Sequence, residues 1–187
     1  MANADNARGL WPIRHQSGAE PQAAEYAIAT GYAANIFRGD VVEGIADGTI
    51  EIAEGANVDN LGVFWGCRYV NSKGEQVFSR YWPTGTAATN IVATVYTDPG
   101  IIFGVQADTA AATDIHLMAD WDDGAGSTST GLSGRELAAS GGATTGKSMR
   151  ILGKINSPGN DWGAHVDLEV QFAEHVLMGV VSGVGGI

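Results

Sequence analysis

At 187 residues and 44% hydrophobic content, the chain is long enough to bury a sizeable core and too apolar to be disordered. Its 27 glycines favour short strands and many turns over long helices. Ten basic side chains against 21 acidic ones give a net charge of −11, which repels phosphate backbones and argues against a nucleic-acid partner.

The first element stands out against that acidic background. Arg8, Gly9, Leu10, Trp11, Pro12, Ile13 and Arg14, followed by His15, are basic and apolar but follow neither a helical nor a strand period. Pro12 lacks a backbone N–H and biases Trp11 toward an extended conformation. The stretch predicts an extended arm within residues 1–22. Its apolar side chains must bury against a neighbouring protein or against the chain's own body.

Beyond the loop Ser17–Pro21, residues 25–30 alternate as a strand with Tyr26 and Ile28 on one face. Ile36-Phe37 and Val41-Val42 flank a tight corner at Arg38-Gly39-Asp40. (That tripeptide is also an integrin ligand, but between two short apolar strands it reads as a tight corner.) Residues 49–53 alternate cleanly. Residues 61–70 predict a long strand with Val63, Trp65, Cys67 and Tyr69 on one side. The turn 71–74 sends it back into residues 76–82 as a hairpin. Residues 91–97 form a strand ended by Asp98-Pro99-Gly100, with 101–106 expected as its partner. Residues 110–118 predict one short helix capped by Thr113 or Asp114. Residues 124–134 read as a surface loop, 149–153 as a strand and 157–161 as a loop. Val166, Leu168, Val170 and Phe172 alternate with polar residues in the cleanest strand of the chain. A Gly-Val-rich tail, 179–187, closes the sequence.

Nine or ten short strands at such spacing predict an all-β fold, or mainly β with one short helix: a β-barrel or β-sandwich body with an extended N-terminal arm. The expected division is the arm (1–22), a single β-rich domain (23–178) and the tail (179–187). Cys67 stands alone, so no intramolecular disulfide is possible, and its apolar strand makes it a buried structural thiol. No basic region followed by an apolar one opens the chain, which predicts a product made in a cytoplasm. The longest apolar run, Val176 to Val181, is too short to span a bilayer, so no membrane partner is expected.

Candidate chemistry fails on context. Gly141 to Ser148 fits the phosphate-loop pattern G-x-x-x-x-G-K-[ST]. That loop must leave a buried strand and enter a helix, whereas Arg135–Ser140 before it is polar and 149–155 after it alternates like a strand. Asp120-Trp121-Asp122-Asp123-Gly124 resembles a calcium loop, but its acids are off the required spacing and position twelve is Gly131. His165, Asp167 and His175 are too spread along one strand to hold one ion without a bend. No G-x-S-x-G elbow exists, and Cys67 has no adjacent base. No enzyme, cofactor or metal is expected.

Two blocks carry a family resemblance. The first is Asn6-Ala-Arg-Gly-Leu-Trp-Pro-Ile-Arg14, followed by a loop and a Tyr-containing strand. The second runs from Asp98-Pro99 and Phe103–Asp108 through Gly124–Gly134, Glu136-Leu137 and Ala143–Thr145 to Arg150–Gly153 and Pro158–Asp161. In order and spacing these resemble the capsid decoration (cement, head-stabilising) proteins of tailed bacteriophages. Members end soon after the last long strand on a polar, amide-rich close, whereas this chain continues through Val176–Ile187. The resemblance implies a non-enzymatic virion protein on the outer capsid surface. Its implied partners are the major capsid protein and copies of itself, as a homotrimer. Arg8, Gly9, Leu10, Trp11, Pro12, Ile13 and Arg14 would then bind the capsid, with Leu10, Trp11 and Ile13 in apolar grooves. Two other readings are a glycan- or host-surface-binding module, using Trp82, Trp121 or Trp162 as sugar platforms, and a tail or baseplate structural protein.

Overall fold

The computed structural model describes residues 3–53 and 60–178; the predicted tail 179–187 lies outside them. The fold is all-β, as the alternating patterns require. Its strands are β1 (Trp11–His15), β2 (Ala24–Ile28), β3 (Ile36–Phe37), β4 (Val41–Gly44), β5 (Thr49–Ile52), β6 (Asn60–Val70), β7 (Gln76–Ser79) and β8 (Tyr81–Trp82). They continue as β9 (Thr89–Tyr96), β10 (Ile101–Gln106), β11 (Thr109–Ala110), β12 (Met118–Ala119), β13 (Met149–Lys154), β14 (Gly163–Ala164) and β15 (Asp167–Phe172).

Five of these close into a small barrel. The order β4-β5-β2-β9-β6 returns to β4 through a second β4–β6 ladder, and β7 extends the wall beyond β6. The β2–β5 pair is parallel and the other ladders of the ring are antiparallel. One core includes Ile28, Ile36, Val42, Ile50, Phe64, Trp82 and Val95. A second sheet, in the order β1-β10-β15-β13-β12, carries the other core. Ile101, Phe103, Val105, Ile151, Leu168 and Val170 belong to it, together with Val41 and Val63 from the barrel wall. Successive residues of a strand face opposite ways. Val41 and Val42, like Val63 and Phe64, therefore serve the two cores in turn.

Several expectations change. The strand 101–106 is not the hairpin partner of 89–96. β9 already has β2 on one edge and β6 on the other, so no edge is left for β10. The turn is made as expected, with the Gly100 N–H donating to Asp98 Oδ1 at 2.8 Å, but it carries the chain from one sheet to the other. Residues 63, 65, 67 and 69 do not share a face. Phe64 pairs with Val95 and Gly66 with Thr94, so Trp65 is the extra residue of a β-bulge. The bulge puts Phe64, Cys67 and Tyr69 in one core and leaves Trp65 outside it. The predicted helix shrinks to one 3₁₀ turn, Ala112–Asp114, because the residues after it bond to β13 instead: the His116 N–H donates to Ile151 O, Leu117 O accepts the Ile151 N–H, and Met118 pairs with Arg150. Its cap is the Asp114 carboxylate, which accepts the Ala111 N–H at 2.8 Å.

The segment 124–134 is not a free surface loop. Gly126 lies under the Phe37 ring, and Ser133 and Arg135 are buried. Arg135 donates to Ala53 O at 2.8 Å and to Asp123 Oδ1 at 3.2 Å, and its Nε lies 3.9 Å from Asp40 Oδ1. Asp40 is only 2% exposed, so the Arg-Gly-Asp corner is not displayed as a tripeptide ligand. Burial pushes the Asp40 carboxyl above its usual range, against hydrogen bonds from Ser133 and the Phe37 backbone.

Nor is the predicted arm separate from the body. β1 pairs with β10, and Leu10 is 1% exposed within the second core. Leu10→Ala should therefore cost about 2–5 kcal/mol of stability in denaturant unfolding, the range for a buried leucine.

His175 is buried just after β15, edge-on to the Phe172 ring with centroids 5.1 Å apart. Burial pushes its imidazole below the ordinary value of 6.5. The folded state thus binds fewer protons at this site than the unfolded chain. Its contribution to stability is whole above the ordinary value and declines as pH falls from there through the folded one. Between roughly pH 7.5 and 5.5 the parent should lose more stability than His175→Phe, as read by parallel denaturant titrations.

Candidate docking face

Two arginine–indole stacks form one face of the protein. In β1, Trp11 lies opposite Gly104 of β10, and its ring covers the space where a side chain would stand. A Cβ at Gly104 would collide with the indole. The Arg8 guanidinium sits 3.8 Å from the centre of the Trp11 ring and is anchored to Asp167 Oδ2 at 3.0 Å. Beside it, the bulge in β6 turns Trp65 outward. Arg38 stacks on that ring at 3.5 Å, and Tyr96 meets it edge-on at 5.4 Å.

Two grooves flank Trp65. One, of about 190 Å³, is lined by Arg8, Leu10, Trp11, Arg38, Trp65 and Leu132. The other, of about 370 Å³, is bounded by Trp65, Arg68, Arg80 and Phe78. Phe78 stands 75% exposed on β7. Arg8, Arg38, Arg68 and Arg80 account for four of the ten basic side chains of the sequence, and among the described residues no acidic side chain lines either groove. Arg68 pairs with Glu25 at 3.2 Å. Arg38 and Arg80 make no ion pair among the described residues. Burial, and then the neighbouring Arg80, hold the Arg38 guanidinium below its usual range. In so acidic a chain, two adjacent uncompensated arginines are out of balance, and a negatively charged partner would restore it.

The predicted partner-binding residues divide. Arg8 and Trp11 form the first stack. Pro12 is half-buried opposite Phe103. A register shift between Pro12 and Arg14 leaves Ile13 36% exposed. Arg14 reaches Glu169 Oε2 at 2.6 Å. Gly9 holds a positive φ of 69° and packs against the Gly39 carbonyl, which accepts the Leu10 N–H at 2.9 Å. Leu10 itself corrects the expectation that it fills a partner's groove: its side chain is buried in the second core. Arg38, Trp65, Phe78 and Arg80 were not predicted. They lie far from the arm in sequence, and only the bulge brings Trp65 to the face.

Other motifs resolve locally. The chain after Gly146-Lys147-Ser148 enters β13 rather than a helix, and Lys147 is held by Asp120 at 2.8 Å. Asp120 also accepts the Ser148 N–H at 3.0 Å, so this acid of the calcium-like segment is already engaged. Asp167 pairs with Arg8, and His175 meets the Phe172 ring edge-on. Trp82 and Trp121 are buried, which removes them as sugar platforms, and Trp162 packs partly buried against the second core. Burial pushes the Cys67 thiol up to about 12, leaving it protonated and unreactive at neutral pH. Among the described residues no helix is long and apolar enough to cross a membrane.

No family model matches the chain, and comparison with curated proteins and with solved structures finds no relative. The candidate docking face therefore rests on its geometry alone. Gly104→Ala should displace the Trp11 indole, alter the near-ultraviolet circular dichroism and cost about 1–3 kcal/mol of stability, as overpacking does.

Proposed function

We propose that the protein is a non-enzymatic virion structural protein that binds the outer surface of a phage capsid. In this reading it stabilises the shell by bridging major capsid protein subunits. The observation that carries the reading is the pair of arginine–indole stacks, beside which Arg38 and the neighbouring Arg80, without an ion pair among the described residues, adjoin apolar grooves on an otherwise acidic chain. The resemblance of its ordered motifs to capsid decoration proteins supplies the kind of partner.

The reading assigns Leu10 to anchoring and the neighbouring residues to contact. Leu10 ties the arm into its own sheet. Trp11, Ile13, Arg38 and Trp65 then present a prearranged surface rather than a loose strap. A rigid surface loses less conformational freedom on binding than an arm that must first be ordered. Arginine and tryptophan are also the residues most enriched among those that dominate interface energies. Copies of the chain, as a homotrimer, would place three such faces on one shell, and linked weak contacts hold through high effective concentration.

The test mixes purified protein with shells that lack it. Ile13→Asp and Arg38→Glu change exposed or half-buried side chains and should leave the circular dichroism intact. The double variant should fail to co-sediment with shells that the parent decorates. Normal decoration by the folded double variant would overturn this account of the face. Images of intact particles showing the protein on the tail alone would overturn the capsid reading.

A further inference from the structure

Three side chains remote in sequence converge near the N-terminal segment. Asp5, Glu136 and His165 each bring a ligand atom within 4.8 Å of the other two. His165 Nδ1 lies 3.9 Å from Asp5 Oδ1 and 3.9 Å from Glu136 Oε1. Neither distance is a hydrogen bond. That nitrogen is nevertheless closed off from solvent and has no hydrogen-bond partner among the described residues. A buried ring nitrogen left facing two carboxylates across such a gap requires an explanation.

The surroundings sharpen the question. Burial raises the Glu136 carboxyl, and the facing Asp5 raises it further, with Asp108 and Asp122 adding in the same sense. His165 is the one nearby group that opposes them. The backbone is fixed around this concentration of negative charge. The His165 N–H donates to Asp108 O at 3.1 Å, and the His165 carbonyl accepts from Gln106 Nε2 at 3.1 Å. Gln106 also holds the chain on both sides of Asp5. It donates to Ala4 O at 3.1 Å and accepts the Asn6 N–H at 2.7 Å. Asn3 is tied to Asp161 O at 2.7 Å and to Ala164 O at 2.9 Å.

We propose that Asp5, Glu136 and His165 bind one divalent transition-metal cation of the zinc type, which pins the N-terminal segment to the body. The donor set decides the class. One imidazole nitrogen and two carboxylates suit zinc, with water in the remaining position, whereas calcium and magnesium favour an all-oxygen shell. Metal–ligand bonds of about 2.0–2.2 Å in a tetrahedron place donor atoms about 3.3–3.6 Å apart. The present gaps need only a small contraction, and Asp5, the most exposed of the three, can supply it. The site stands apart from the docking reading, and the two can fail separately.

The test is calorimetric titration of the chelator-stripped full chain with zinc chloride. One equivalent should bind, while calcium chloride should give no comparable binding. Asp5→Asn and His165→Ala should each weaken zinc by at least about tenfold, and His15→Ala, outside the cluster, should bind as the parent does. Asp5 is exposed, so its variant separates ligand loss from unfolding. Zinc should also slow hydrogen exchange at the amides of residues 3–6 in the parent and not in Asp5→Asn. Absence of stoichiometric zinc binding would overturn the proposal, as would binding unchanged in both Asp5→Asn and His165→Ala.

Discussion

The wall made by β4 and β6 belongs to two cores at once, and the remaining architecture follows from that. A strand covered on both faces cannot alternate apolar with polar residues; it must read as a continuous apolar run. Val41-Val42 and Leu61–Phe64 are such runs. Val42 and Phe64 look into one core and Val41 and Val63 into the other, all four fully buried. With the wall shared, the second sheet needs no second layer of its own. Leu10 and the strands around β10 close the outer core directly against the barrel.

A buried ion pair fastens the junction from the side. Arg135 reaches Asp40 at the corner between β3 and β4, the Ala53 carbonyl after β5, and Asp123 in its own loop. The attraction between Arg135 and Asp40 must offset the desolvation of both groups, so the pair by itself adds little net stability. Its consequence is geometric. The guanidinium fork fixes where residues 123–135 cross the barrel, because either partner left alone would be a buried, uncompensated charge.

Strands with one covered face were legible in the sequence, because period-two alternation follows directly from a half-buried sheet. β15 and β5 are examples. Contacts between strands were less so. Asp98-Pro99-Gly100 has the same turn chemistry whether it makes a hairpin or an inter-sheet corner, and only the filled edges of β9 decide between them. The Trp65 bulge left little mark in the local pattern. Gly66 hinted at it, but a glycine in a strand has several causes. Of the candidate docking face, the sequence revealed the arm as basic, apolar and aperiodic. Arg38, Trp65 and Arg80 stayed hidden because they meet through ladders that join distant parts of the chain. The Asp5–Glu136–His165 cluster was hidden for the same reason.

The arm and the bulge acquire a common meaning once charge is considered. An arginine paired with a carboxylate on its own surface is already neutralised and has little left for a partner. Arg38 instead rests on the Trp65 face, where the ring quadrupole holds the cation without an ion pair among the described residues. Such a stack keeps a guanidinium extended and preoriented, so less side-chain freedom is lost when it meets a carboxylate. The same chain carries excess negative charge elsewhere, which repels nonproductive approaches to an acidic neighbour and favours those led by this face. The bulge that exposes Trp65 and the glycine that seats Trp11 thus convert two local irregularities of β-structure into one oriented, cationic and apolar surface.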